Sequence, residues 1–143
     1  MLPIKVLIVD DERDFADALA ERMKKRDIVV DIAEDGPSAI NCVSSKNYDA
    51  IVLDLVLPGM DGIETLKQIV ALKPDLQVIL LTGRGSIEKG VEAIKCGAFE
   101  FLEKPVKLEN LLEKINKAKS KKDALTEQHT NDMIDEILKR RSW

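Results

Sequence analysis

Residues 5–12 read Lys5-Val6-Leu7-Ile8-Val9-Asp10-Asp11-Glu12, and the abrupt change inside this stretch decides the fold. Four consecutive apolar residues, three of them β-branched, suit a strand covered on both faces; a half-exposed strand would alternate apolar with polar. The run then breaks into three carboxylates with no glycine among them. A second run of the same kind, Ile51-Val52-Leu53, also ends on a carboxylate, Asp54.

Working outward, β-rich apolar runs recur at residues 4–9, 28–33, 50–55, 77–81 and 99–102. Longer amphipathic stretches separate them. In residues 14–25 the apolar positions Phe15, Ala18, Leu19, Ala20 and Met23 follow a helical period, and Pro37 is expected at the first position of a second helix. Asp61 with Glu64 three positions on forms a capping-type pair, which predicts a third helix carrying Ile63, Leu66, Ile69 and Val70 on one face. Ser86 is a cap for a fourth, and Gly97 stands where that helix would end in a left-handed residue. Parallel strands buried on both faces need crossovers, which these helices supply. The alternation therefore predicts an α/β doubly wound parallel sheet of five strands. In such sheets ligands bind beyond the carboxyl ends of the strands, where strand order reverses.

Composition narrows the function. The chain has 143 residues, the size of one domain, and a net charge of −4. It offers no broad basic field, so direct nucleic-acid binding is not expected. The start lacks the pattern of a signal peptide, and no apolar stretch approaches the roughly 20 residues that span a bilayer. A cytoplasmic location is the expectation. Cys42 and Cys96 fall in different helical segments without metal-ligand spacing and read as reduced, structural residues.

The residues at the strand ends carry the chemistry. Asp10 and Asp11 follow the first strand, Asp54 the third, Thr82 the fourth, and Lys104-Pro105 the fifth. If the first, third, fourth and fifth strands lie side by side, three carboxylates, a hydroxyl and an ammonium converge on one rim. Clustered carboxylates are tolerable at neutral pH only with a cation or raised pKa values, and an all-oxygen set suits a hard divalent ion such as Mg²⁺. A phosphate-cradling site would place a Gly-rich turn after the first strand, and Asp10-Asp11-Glu12 stands there instead. An anion could approach only through a metal, with Lys104 neutralising its other side and Thr82 donating a hydrogen bond. A carboxylate is itself a usable nucleophile toward phosphorus. Taken singly, Asp10-Asp11 is an ordinary turn and Lys104 a solvated surface residue. Their joint placement, each at its own strand end, argues otherwise.

These residues resemble the response regulator receiver domain of two-component signal transduction over roughly residues 3–120. The similarity rests on Val9-Asp10-Asp11-Glu12, on Asp54-Leu55-Val56-Leu57-Pro58-Gly59-Met60-Asp61-Gly62, on Leu81-Thr82-Gly83, on Gly97-Ala98 and on Phe101-Leu102-Glu103-Lys104-Pro105. Residues 90–105 are most similar to receivers of the nitrogen-regulation class. The resemblance implies a flavodoxin-like (βα)5 fold with strand order 2-1-3-4-5, and Asp54 as phosphoacceptor. It further implies that Mg²⁺ (or Mn²⁺) is ligated by Asp11, Asp54 and the backbone carbonyl of Val56, with Asp10 acting through a water. Thr82 and Lys104 would contact the phosphoryl oxygens, and the Lys104–Pro105 bond would be cis. The implied partner is a sensor histidine kinase or phosphotransfer protein. Switching would move Thr82 and turn Phe101 inward, reshaping the face of the fourth helix, fifth strand and fifth helix. Phenylalanine offers no phenol there.

A turnover phosphatase acting through an aspartyl phosphate would carry an Asp-x-Asp pair, whereas Glu12 lies two beyond Asp10 and Val56 two beyond Asp54. An inert receiver-like scaffold would have lost part of the acidic set or the lysine. The chain is accordingly expected to be a signalling switch, catalysing only its own phosphorylation and slow dephosphorylation. The expected division is a receiver at 1–120 and a C-terminal helical tail or linker stub at 121–143, with the polar run Lys119-Ser120-Lys121-Lys122-Asp123 as a helix end or hinge. Beyond it Met133, Ile134, Ile137 and Leu138 have helical spacing. This tail could pack on its own domain, pair with a second copy in a homodimer, or lead elsewhere. His129, with no carboxylate pattern of a phosphohistidine site around it, reads as a surface residue.

Overall fold

The computed structural model describes residues 2–83 and 87–141. Ten elements alternate along the chain: β1 (Lys5–Val9), α1 (Arg13–Lys24), β2 (Val29–Ala33), α2 (Gly36–Ser45), β3 (Ala50–Leu53), α3 (Gly62–Leu72), β4 (Gln77–Thr82), α4 (Ile87–Lys95), β5 (Glu100–Glu103) and α5 (Leu108–Arg141). All strand pairs are parallel and the order is β2-β1-β3-β4-β5, the flavodoxin-like arrangement.

The two-residue period of the strands divides the core into two layers. Leu7, Val9, Ile51, Leu53, Val78 and Leu80 meet α2, α3 and α4 through Ala39, Val43, Leu66, Ile69 and Ala93. Val6, Ile8, Val52, Ile79 and Leu81 meet α1 and α5 through Ala16, Leu19, Met23, Leu111, Ile115 and Ala118. Fully burying each Leu or Ile contributes about 2 kcal/mol, which explains the uninterrupted apolar runs Val6–Val9, Ala50–Leu53 and 78–81 in the central strands. Cys42 and Cys96 are free thiols, half-buried against the first of these layers.

Helix starts follow local chemistry. Asp35 caps α2 by accepting from the Ser38 N–H at 2.8 Å, with Pro37 in the first turn just behind Gly36. Pro37 is therefore second in the helix rather than first. Asp61 caps α3 by accepting from the Ile63 N–H at 3.0 Å, while Glu64 turns away to Gln68. Gly62 is needed for close approach, since a Cβ there would stand 2.4 Å from the Leu55 carbonyl oxygen. Gly97 ends α4 with φ +110° and Ala98 N–H bonded to the Ala93 carbonyl at 3.0 Å. The expected Ser86 cap lies outside the described residues.

The C-terminal region departs from expectation. No helix end or hinge occurs at residues 119–123, and α5 continues unbroken to Arg141. Nothing in residues 106–143 is glycine or proline. Polarity alone does not end a helix when the residues are good helix formers such as lysine and alanine. The polar run instead stitches the helix in place: Lys119 pairs with Asp123, and Lys122 Nζ donates to the Tyr48 carbonyl at 2.6 Å. Thr126 and His129 both reach Asp75, at 3.1 Å and 3.0 Å. His129 is exposed as expected, yet a carboxylate from the loop before β4 does lie against it. No helix among the described residues is long and apolar enough to cross a membrane.

Candidate functional site

The hydrogen bonds of the sheet continue past the strand ends and fix the rim. Asp10 N–H donates to the Ala33 carbonyl at 3.0 Å, Asp54 N–H to the Val9 carbonyl at 2.9 Å, and Lys104 N–H to the Thr82 carbonyl at 2.8 Å. Asp10, Asp54 and Lys104 are thus each held by the neighbouring strand. Parallel pairing in this order makes distant parts of the sequence adjacent.

Asp54 and Asp10 are 5 % and 3 % exposed, which makes their partners decisive. Asp54 Oδ1 accepts from Thr82 Oγ1 at 2.9 Å and from the Val56 N–H at 3.0 Å. Its Oδ2 faces Lys104 Nζ at 3.3 Å. Asp10 Oδ1 accepts from the Glu12 N–H at 2.9 Å, and Oδ2 accepts from Lys104 Nζ at 2.8 Å. Lys104 is therefore shared by two buried carboxylates. Burial pushes the Asp10 carboxyl above its ordinary range despite the relief that Lys104 supplies. For Lys104 burial pulls the other way, but its hydrogen bond to Asp10 and the charges of Asp54 and Asp10 outweigh it and hold the ammonium above its ordinary value. The Lys104–Pro105 peptide is cis.

The structure brings Asp10, Asp54, Thr82 and Lys104 together. Asp11 is exposed and stands apart from the carboxylate group formed by Asp10, Glu12 and Asp54, whose oxygens lie within 4.8 Å of one another. The Val56 side chain is exposed, and its backbone contributes a donor to Asp54. An all-oxygen set of two buried carboxylates and one at the rim fits a hard divalent cation, the group whose charge would relieve their crowding.

Two contributors escaped the sequence reading. Glu12 joins the cluster and contacts Lys104 at 3.3 Å; its place two residues after Asp10 was the available signal. The Phe15 ring lies with its centroid 4.2 Å from Lys104 Nζ, a cation–π contact from the first turn of α1. Helical periodicity assigned Phe15 only to the core. Phe101 is half-buried, packed against Gly90, where a Cβ would come within 2.6 Å of its ring. Arg84, beyond Thr82, lies outside the described residues.

Comparison with known proteins agrees with this geometry. The family model for the response regulator receiver domain matches residues 6–116. The response regulator MprA of Mycolicibacterium vanbaalenii is 35% identical over 111 residues, covering 78% of this chain and 48% of the relative. The chain thus spans about half the length of the curated relatives it matches. Among solved structures, a CheY-like response regulator receiver domain protein from Methanospirillum hungatei aligns with a TM-score of 0.81 at 28% identity, covering 86% of this chain and 98% of that one. NtrX from Brucella abortus aligns with a TM-score of 0.83 at 31% identity, covering 90% of this chain and 30% of that one, which fits the nitrogen-regulation class. With five parallel strands in the order 2-1-3-4-5 and the carboxylates, hydroxyl and lysine gathered at their carboxyl ends, the chain belongs to the response regulator receiver family.

Proposed function

We propose that this chain is a phosphorylation-activated switch in which Asp54 accepts a phosphoryl group from a sensor histidine kinase or phosphotransfer protein. The observation that carries this reading is the Asp54 carboxylate itself, buried yet oriented by Thr82, the Val56 N–H and Lys104. An Asp54 oxygen attacks phosphorus, the bond from phosphorus to the donor imidazole nitrogen breaks, and that nitrogen keeps the electron pair and takes a proton. The chain supplies position and charge, which dominate such transfers. Lys104 neutralises the negative charge carried in, and Thr82 donates to it.

Asp10, Asp11, Asp54 and the Val56 carbonyl would hold Mg²⁺, or Mn²⁺ in its place. The bound ion would supply charge neutralisation for the incoming phosphoryl group. Asp11 stands exposed next to Asp10 in the loop that leaves β1. Retention of Lys104 and the whole acidic set separates this reading from an inert scaffold, and the lack of a second acid two beyond Asp54 separates it from a turnover phosphatase.

The output surface of this reading is the α4-β5-α5 face. Ile87, Val91 and Ile94 stand exposed along α4 at i, i+4 and i+7. Phe101 fills the notch at Gly90 beneath that helix, so a change at Thr82 and Lys104, which flank β4 and β5, reaches α4 through the ring. Such a protein would work in the cytoplasm, by protein contact, without binding nucleic acid through this domain.

The test is intact mass after incubation with acetyl phosphate and Mg²⁺, beside Asp54→Ala and an EDTA-treated sample. One added phosphoryl group, absent from both controls, is the expected result. No added mass, where a competent receiver gains it in parallel, would sink the reading.

A further inference from the structure

The last three turns of α5 present a face that the domain does not cover. Met133, Ile134, Ile137 and Leu138 are between 45% and 63% exposed. At about 100° per residue, Asp123, Glu127, Thr130, Ile134, Ile137 and Arg141 lie along one stripe at alternating intervals of four and three. Met133 and Leu138 widen it on either side. Asp123, Glu127 and Thr130 also line a cleft between the helix and the body, opposite Leu72 and Pro74. The cleft and the apolar stripe are therefore one continuous surface.

The order of residues on this stripe is self-complementary in one direction only. It begins acidic, with Asp123 and Glu127, is apolar in its middle, and ends basic at Arg141. The apolar quartet is also symmetric about the bond between Asp135 and Glu136: Met133 maps onto Leu138, and Ile134 onto Ile137. We propose that the stripe pairs antiparallel with the same stripe of a second copy, placing Ile134 against the partner's Ile137 and Arg141 against the partner's Thr130, one helical turn short of the partner's Glu127. A parallel pair would instead stack Glu127 on Glu127 and Arg141 on Arg141. Asp123 is already paired with Lys119 within its own helix, which leaves Glu127 as the acid that distinguishes the two directions.

Pairing also answers a local problem. A helical end of this length with exposed apolar side chains is marginal in water, and covering those side chains stabilises it. Four apolar side chains per copy make a surface below the roughly 1,200 Å² of a stable complex, so the association is weak.

Sedimentation velocity of the whole chain from about 10 μM to 1 mM tests this, the range following from that weak association. The chain is expected to shift from monomer to dimer with rising concentration. Ile134→Asp, at an exposed position that leaves the fold intact, should remain monomeric throughout, and Glu127→Arg should weaken association several-fold. The exchange Glu127→Arg/Arg141→Glu should restore it. A wild-type monomer at every concentration, or a dimer indifferent to Ile134→Asp, overturns the proposal. Failure of the charge exchange to recover what Glu127→Arg loses overturns the antiparallel arrangement.

Discussion

Thr82 Oγ1 donates to Asp54 Oδ1 at 2.9 Å, so a hydroxyl at the end of β4 holds the carboxylate just beyond β3. Both groups are buried. Thr82→Ala should lower stability in urea by about 1 kcal/mol, the typical net value of one hydrogen bond and more if the carboxylate finds no water. Thr82→Ser should recover most of this. Equal losses for Ala and Ser would show that the methyl group, rather than the bond, matters.

Lys104 stands between two buried carboxylates, and removing it leaves both uncompensated. Lys104→Met is expected to cost roughly 3 kcal/mol in chemical denaturation, as for other broken buried pairs. Millimolar Mg²⁺ should return part of that stability, because the ion replaces the lost positive charge. Chelation with EDTA should remove the gain, and a variant that also carries Asp10→Asn and Asp54→Asn should not respond. A melting temperature for Lys104→Met that ignores Mg²⁺ would contradict the assignment of the acidic set to a cation.

A pH effect arises far from the rim, where Tyr48 donates to Asp31 Oδ2 at 2.7 Å. That hydrogen bond, against a partial penalty from burial and with help from Lys46, holds the Asp31 carboxyl below its ordinary 3.8. A depressed folded-state pKa contributes stability that is complete above the unfolded value and is lost as pH falls through the folded one. Tyr48→Phe should therefore destabilise the chain by about 1–2 kcal/mol at pH 7. The difference from wild type should shrink below pH 4. A constant difference across this window would assign the loss to packing.

Gly90 leaves room for the Phe101 ring, and a Cβ there would come within 2.6 Å of it. Gly90→Ala should displace the ring and cost about 1–3 kcal/mol, despite the better helix propensity of alanine. The cost should largely vanish in a Phe101→Ala background. That non-additivity, read from a double-mutant cycle in urea, separates a clash with the ring from a defect in α4 itself.

Much of this architecture is legible in the sequence because the central strands carry short uninterrupted apolar runs. Val6 to Val9 and Ile51 to Leu53 can be little else, and the polar residue after each marks its carboxyl end. Asp10, Asp54 and Thr82 follow from that one regularity, whereas Lys104 follows a strand with a glutamate at each end and is legible from the motif it shares with the family. Glu12 and Phe15 do not, since which side chain of a helical turn bends over a lysine 89 or more positions away is fixed by tertiary packing. Asp11 shows the converse: of two adjacent aspartates in the loop after β1, Asp10 is buried in the cluster and Asp11 is exposed. The polar run at 119–123 misleads for another reason, because its side chains bond to the body and to one another rather than to the backbone of their own helix.

Helix α5 is rooted on the sheet by Leu111, Ile115 and Ala118 and leaves the domain without a joint. The part beyond Ala118 extends for about 35 Å, so a tilt of about 5° at the root would sweep its far end through about 3 Å. Lys122, Thr126 and His129 grip the loops leading into β3 and β4, at the end of the sheet opposite the acidic rim. They act as the bearing of a lever. Whatever turns the helix must either release those grips or carry both loops with it, so the mechanical gain of the arm is set at Tyr48 and Asp75 and not at the acidic rim.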